Sequence, residues 1–253
     1  MKIVAVIPAH LASVRFPGKI LCSIHGLPMI EHVRRRALLS EVLSEVYVAT
    51  CDQEIALKVS DCGGKVIMTA NTHTNGSSRV AEAVQGIDCT HVLLLQGDEP
   101  LLLPRHLDTI AHSIELQPEG DAWNATGPIE CEEELDRHSF VKCAVSASSR
   151  ILYCFRRSPC FSAFDVQRLF IRKILGIIAY RKDFLLELSA TPVSPIEKAE
   201  FIEQMRVIEN GYRLHSIPVS PSLPSVNEPD ELDTVLDYIN CSTEQRELLE
   251  RIL

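Results

Sequence analysis

Two polar segments combine residue types that handle phosphate and metal. The first, Pro8-Ala9-His10-Leu11-Ala12-Ser13-Val14-Arg15-Phe16-Pro17-Gly18-Lys19, follows a short apolar run. Small residues and Gly18 let backbone N–H groups approach an anion, and Arg15 and Lys19 supply charge for phosphate oxygens. The spacing is not that of a Walker loop. On residue types alone, a phosphate cradle and a surface loop with two solvated cations are equal readings. The second segment is Gln96-Gly97-Asp98-Glu99-Pro100. An acidic pair leaving a run of Leu suits a hard cation such as Mg2+, which takes carboxylate and phosphate oxygens. The competing reading is an Asp that caps the next turn.

Three further groups are weaker. His73-Thr74-Asn75-Gly76-Ser77-Ser78-Arg79 precedes a helical pattern. Its N–H groups and hydroxyls suit a polar ligand, or Ser77 or Ser78 simply caps the helix. Arg34, Arg35 and Arg36 fan out by ~100° per residue on a helix, so a solvated face is expected. Arg156 and Arg157, beside Tyr153 and Phe155, offer charge to a carboxylate or to solvent.

The elements that must position these groups alternate. Residues 2–7 read as a buried strand, 28–39 as a helix, 45–50 as a strand and 52–60 as a helix. Strand 65–68, helix 77–86 and strand 91–95 follow. That order predicts a parallel sheet covered by helices on both faces. In such sheets ligands bind beyond the carboxyl ends of the strands, where both polar segments fall. Later strands are expected near 122–127, 140–147, 174–181 and 212–217, with 150–172 poorly periodic. Helices are expected at 195–209, 229–239 and 242–252. Ser194, Pro195 and Glu197 form a helix-start signature, and Asn210-Gly211 a stop. No linker or repeat divides the chain, so a single domain over 1–253 is expected, with an accessory segment around 130–190.

Composition narrows the function classes. The chain has 253 residues, of which 46% are hydrophobic, and its formal net charge is −9. That excludes a disordered chain and argues against general nucleic-acid or membrane-surface binding, both of which favour excess Lys and Arg. No apolar run approaches the ~18 residues of a membrane span. The nine cysteines form no Cys-x-x-Cys pair and no zinc spacing, which points to free thiols and a cytoplasmic protein.

Read in order, IPAxLASxRxPGK, HxxGxxRxAE, QGDEP, LGIxxYR, EQMR and VxEPDEL resemble the 3-deoxy-manno-octulosonate (Kdo) cytidylyltransferases from residue 3 to about residue 235. The resemblance implies a nucleotide-diphospho-sugar transferase-like, Rossmann-related α/β fold with a mixed sheet and helices on both faces. It implies a homodimer, with 130–190 holding sugar-pocket and dimerisation residues. It also implies Mg2+ as cofactor and condensation of CTP with an acidic sugar to a CMP-sugar and pyrophosphate, a step in lipopolysaccharide or other polysaccharide biosynthesis. Arg15, Lys19 and Asp98 become the catalytic candidates. Pro8, Ala9, His10, Arg15, Lys19, His73, Ser77 and Gln96 become nucleotide-binding candidates. Arg156, Glu203, Gln204, Ile174 and Ile178 fall in the sugar pocket, and Asp98 and Asn227 at the metal.

Four departures stand out. His10 replaces an Arg of the family pattern, Ser78 an acidic residue, and Asn227 a metal-binding Asp. Ile174 and Ile178 replace a His and a Tyr. The resemblance therefore implies a divergent member, and a less polar acidic acceptor than Kdo is expected. The alternatives are transfer to another acidic or phosphonate acceptor, and a weakened nucleotide- or sugar-binding regulator. The expected chemistry is attack of a hydroxyl on the α-phosphorus of CTP. Lys19 and Arg15 would neutralise the triphosphate and Asp98 would hold Mg2+, so no cysteine nucleophile is needed.

Overall fold

The computed structural model describes residues 1–253, which fall into two compact units. The first comprises Met1–Asp108 and Leu223–Leu253, the second Thr109–Ser222. The second is larger than the accessory segment expected around 130–190.

The first unit opens with β1 (Ile3–Ala9), in which Val4, Ala5, Val6 and Ile7 are buried. A continuous apolar run, rather than alternation, fits a parallel strand covered on both faces. A 3-10 turn (Lys19–Leu21) and the hairpin of β2 (Ser23–Ile24) and β3 (Leu27–Pro28) lead into α1 (Met29–Ala37). Then come β4 (Leu43–Thr50), α2 (Gln53–Asp61), β5 (Lys65–Met68), α3 (Gly76–Val84) and β6 (His91–Leu95). β1 pairs in parallel with β4 and β6, and β4 with β5. The order β6-β1-β4-β5 brings the carboxyl ends of all these strands to one edge. α4 (Pro104–Leu116) has no counterpart among the predicted elements. Leu107, Ile110, Ala111 and Ile114 nevertheless follow helical spacing and are buried.

The arginine run of α1 is not a solvated face. Arg34 donates to both carboxylate oxygens of buried Glu31 at 2.7 Å, and Arg36 donates to Gln245 Oε1 at 2.7 Å. The three side chains do fan out, but two of the directions point into protein.

The second unit contains β7 (Ala122–Gly127), α5 (Glu133–Asp136), β8 (Lys142–Val145), β9 (Ile151–Phe155) and α6 (Phe164–Gln167). It continues with β10 (Ile171–Arg181), α7 (Lys182–Ala190), α8 (Pro195–Glu200), α9 (Gln204–Glu209) and β11 (Leu214–Pro218). β10 runs antiparallel to β7 and β8, β9 antiparallel to β8, and β11 parallel to β7. The helix expected over 195–209 is broken at Phe201, whose φ is 56°. Arg156 supplies the reason: Nε donates to Glu200 O at 3.0 Å and Nη2 to Phe201 O at 3.3 Å, carbonyls a continuous helix would use itself. Glu209 then caps α8, accepting from Ile196 N and Glu197 N at 3.1 Å.

From Leu223 the chain rejoins the first unit and ends in α10 (Glu231–Cys241) and α11 (Thr243–Ile252). Val226, Val235 and Ile239 pack with Ile24, Met29 and Leu101. This cluster seats residues 225–228 beside the loops that follow β1 and β6. All nine cysteines are free, and no helix is long and apolar enough to cross a membrane.

Candidate functional site

A cavity of about 640 Å3 lies along the carboxyl edge of the first unit's strands. Pro8 and Ala9 line it from the end of β1 with His10 just beyond, Cys51 and Asp52 from just after β4, and Gln96, Gly97 and Asp98 from just after β6. His73, Thr74, Asn75 and Gly76 close it at the start of α3. Parallel pairing carries this convergence, because it delivers each strand's terminal residues to the same edge.

Lys19 enters from the turn after Gly18, a glycine with φ 73° that a bulkier residue would adopt only with strain. Its Nζ donates to Asp98 Oδ2 at 2.6 Å and to Val226 O at 2.9 Å. Lys19 is 9% exposed, so it is not the solvated loop cation that residue types alone allow. Gly97 is needed for packing: a Cβ there would lie 3.0 Å from Ile20 Cδ1. Asp98 therefore leaves the sheet tight against the core, with its carboxylate on the cavity.

Arg15 does not line the cavity. It is half exposed, donates from Nη2 to Asn227 Oδ1 at 3.1 Å, and lies 3.8 Å from Glu228. Asn227 N in turn donates to Glu231 Oε2 at 2.6 Å. Gln96 lines the cavity, whereas Ser77 sits on the first turn of α3 beside Gly76 and does not. The cap of α3 is neither Ser77 nor Ser78 but Asn75, whose Oδ1 accepts from Ser78 N at 2.9 Å. Both ring nitrogens of His73 are engaged, with Ser78 Oγ and with Glu82. The His73 hydrogen bond holds the Glu82 carboxyl below its usual range.

Asp52, which the sequence reading did not single out, and Arg79, the end of the His73–Arg79 segment, also line the cavity. Asp52 Oδ2 accepts from Leu11 N at 2.9 Å and so anchors the loop after β1. Buried Arg79 donates to Thr69 Oγ1 at 2.6 Å. Asp52 was findable, because it follows a strand of the same parallel set just as His10 and Asp98 do. His10 has a pKa below its ordinary value, through burial first and the Arg79 charge second, with Asp52 opposing.

The second unit holds the other candidates. Ile174 pairs with Thr126 and Ile178 with Asn124, across a bulge in β10. Ile178 is buried and Ile174 half-buried. The face they share is not apolar: Asn124 lies opposite Ile178, and its Nδ2 donates to Leu175 O at 2.9 Å and Ile177 O at 3.2 Å. Gln204 Nε2 donates to Asn124 Oδ1 at 2.9 Å. Glu203, half-buried, opens α9 beside it. Arg156 has all its guanidinium nitrogens on carbonyls, those of Glu200, His138 and Phe201, where it holds the α8–α9 junction.

The donor set at the cavity fits a magnesium ion only in part. Mg2+ is typically held by one or two carboxylates together with substrate phosphates. Asp98 offers one carboxylate, with Oδ2 shared with Lys19. Asn227, expected at the metal, does not line the cavity; its neutral carbonyl oxygen accepts from Arg15 and retains a second lone pair.

Comparison with known proteins follows this geometry. Residues 4–217 match the model of a family described as cytidylyltransferase. A 3-deoxy-manno-octulosonate cytidylyltransferase of Geobacter metallireducens is 36% identical over 95% of this chain and 98% of its own length. One from Escherichia coli is 37% identical over 92% and 94%. A solved structure of CMP:2-keto-3-deoxy-manno-octonic acid synthetase complexed with CTP superposes with a TM-score of 0.88. It is 35% identical, covering 95% of this chain and 99% of that one. A cytidylyltransferase of Leptospira borgpetersenii, 16% identical with a TM-score of 0.67, shares the fold. The chain belongs to the 3-deoxy-manno-octulosonate cytidylyltransferase family.

Proposed function

We propose that this enzyme condenses CTP with Kdo, giving CMP-Kdo and pyrophosphate. The observation that carries the reading is the Lys19–Asp98 pair at the cavity, a cation and a carboxylate held together where the strands end. It is supported by the CTP named in the related solved structure and by the names of the relatives.

Nucleotidyl transfer needs positioning and charge neutralisation more than covalent help. Lys19 supplies a cation to the triphosphate, and Arg15 a second from the rim. His10 offers an imidazole to the nucleotide at the same edge. Asp98 would hold Mg2+, with Asn227 as a weaker second oxygen. When bound, the ion would neutralise phosphate charge and lower the pKa of the attacking hydroxyl. The Kdo hydroxyl attacks the α-phosphorus and pyrophosphate leaves. Asn124 and Gln204 supply polar groups on the face that carries Ile174 and Ile178, so a hydroxylated acceptor need not lose its partners there.

The proposal includes a homodimer formed through the second unit. Leu152, Phe161, Val166 and Leu169 are all exposed within one stretch of that unit. Several large apolar side chains in solvent mark an association surface. Light scattering should give twice the 28.2 kDa of the chain; the monomer mass would remove this part.

The test is product identity. Incubation with CTP, Mg2+ and Kdo should yield CMP-Kdo by mass spectrometry, in a ratio of one to one with pyrophosphate. Pyrophosphate without a CMP-sugar would mean hydrolysis and would overturn the reading.

A further inference from the structure

One face of the second unit's sheet carries a buried polar layer built around an arginine without an anion. Paired residues share a face. Thr126 therefore faces with Ile174, Asn124 with Ile178, and Ser216 with Asn124. Arg172 lies two residues before Ile174 and joins the same face. Its contacts agree: Nε donates to Thr126 Oγ1 at 2.9 Å and Nη2 to Thr126 O at 3.3 Å. Thr126 Oγ1 lies 2.8 Å from Ser216 Oγ, so the arginine's anchor is itself anchored. Asn124, Thr126 and Ser216 are almost wholly buried.

Arg172 combines half-burial on this polar face with the absence of an ion pair. Arg156 places three of its five guanidinium N–H groups on backbone carbonyls. Arg181 pairs with Asp121, and Arg206 with Glu197. Arg172 makes no ion pair, and burial holds its pKa below the ordinary value with no Asp or Glu opposing. A half-buried guanidinium that keeps Nη1 and part of Nη2 unspent is suited to a bidentate carboxylate. Nearby polarity is also directed. Three carbonyls fix the Asn124 amide with Nδ2 toward the bulge, which turns Oδ1 toward Gln204. Gln204 then donates through Nε2 and keeps Oε1 as an acceptor for a hydroxyl.

We propose that Arg172 is the specificity-determining residue that binds the acceptor's carboxylate, with Thr126 holding the guanidinium in place. The inference rests on the proposed use of an acidic sugar. Arg156, the arginine that residue order points to, also bonds three backbone carbonyls.

The experiment is steady-state pyrophosphate release by wild type, Arg172→Met and Arg172→Lys, with Kdo and its carboxamide as acceptors. Losing a charge-assisted pair of hydrogen bonds should raise KM for Kdo about 10- to 100-fold. KM for CTP and the melting temperature should stay near wild type. Preference for the acid over the carboxamide should fall toward one in Arg172→Met and persist in Arg172→Lys. A merely structural arginine would not move that ratio. If Arg172→Met does not fold, Arg172→Gln carries the same comparison. Unchanged KM and unchanged acid preference in a folded variant would overturn the inference and leave the functional reading standing. No wild-type turnover of Kdo would overturn both.

Discussion

Lys19 and Asp98, 79 positions apart in sequence, meet at 2.6 Å beside the cavity, and the Val226 carbonyl closes the same ammonium from the chain's return. One buried cation thus joins the loop after β1, the loop after β6 and the segment that precedes α10. The pair is a structural link, and in the proposed mechanism a chemical one; two substitutions separate the roles. Lys19→Met should cost about 2–3 kcal/mol of stability, because it leaves Asp98 partly buried and unpaired. It should also lower turnover by at least about 100-fold. Asp98→Asn keeps an acceptor for Lys19 but leaves its ammonium without a counter-charge, so it too should lose about 3 kcal/mol, and Mg2+-dependent turnover should be lost beyond what the fraction unfolded explains. Thermal denaturation and initial rates check both; a folded, active Asp98→Asn enzyme would remove the metal role.

In the proposed mechanism Asn227 is the weaker second oxygen for a cation. Its carbonyl accepts from Arg15, and its neighbour Val226 touches Lys19. Adding a charge there should strengthen metal binding. Asn227→Asp is expected to lower the Mg2+ concentration for half-maximal activity several-fold. An unchanged or higher concentration would assign residue 227 to Arg15 alone.

Asn124 satisfies three carbonyls with one amide and orients Gln204 with its oxygen. Asn124→Ala strands the Leu175 and Ile177 carbonyls of the β10 bulge. A cost of about 2–3 kcal/mol is expected in urea denaturation, together with a raised KM for the acceptor. An unchanged KM would show that Gln204 does not depend on this contact.

His32 is fully buried, with Nε2 bonded to Ile24 O at 2.7 Å. Burial is the main cause that drives its pKa down from 6.5 to about 4. The unfolded chain therefore takes up the proton first. Stability from this group is complete above about pH 6.5 and falls as pH drops toward 4. The loss is about 3 kcal/mol, with no further slope from His32 below that. Urea midpoints from pH 7 to 4 should fall, and His32→Gln should flatten the decline. An equal decline in that variant would assign the acid sensitivity to other groups.

Much of the first unit was legible because its signals are local. Apolar β-branched runs give β1, β5 and β6, and polar loops at their ends give Lys19, Gln96 and Asp98. What was missed depends on tertiary contacts. Nothing in Ser194–Glu209 announces a break at Phe201, which follows from Arg156 claiming two carbonyls from another strand. The burial of Lys19 depends on Val226, far along the chain. The apolar swap at Ile174 and Ile178 read as a loss of polarity. The compensating groups, Asn124, Thr126 and Gln204, come from β7 and α9, and only the strand register brings them to that face. Asp52 was within reach from the end of β4, but an isolated acid before a helix reads as a cap.

The most direct test of the account is nucleotide selectivity in the complete reaction. Initial rates of Kdo-dependent pyrophosphate release should be measured with CTP, UTP, ATP and GTP at equal concentration and saturating Mg2+. The account predicts that CTP supports turnover at least about tenfold faster than any other nucleotide, the margin of ~1.4 kcal/mol in transition-state binding. Equal rates with all four, or no release that depends on Kdo, would contradict it.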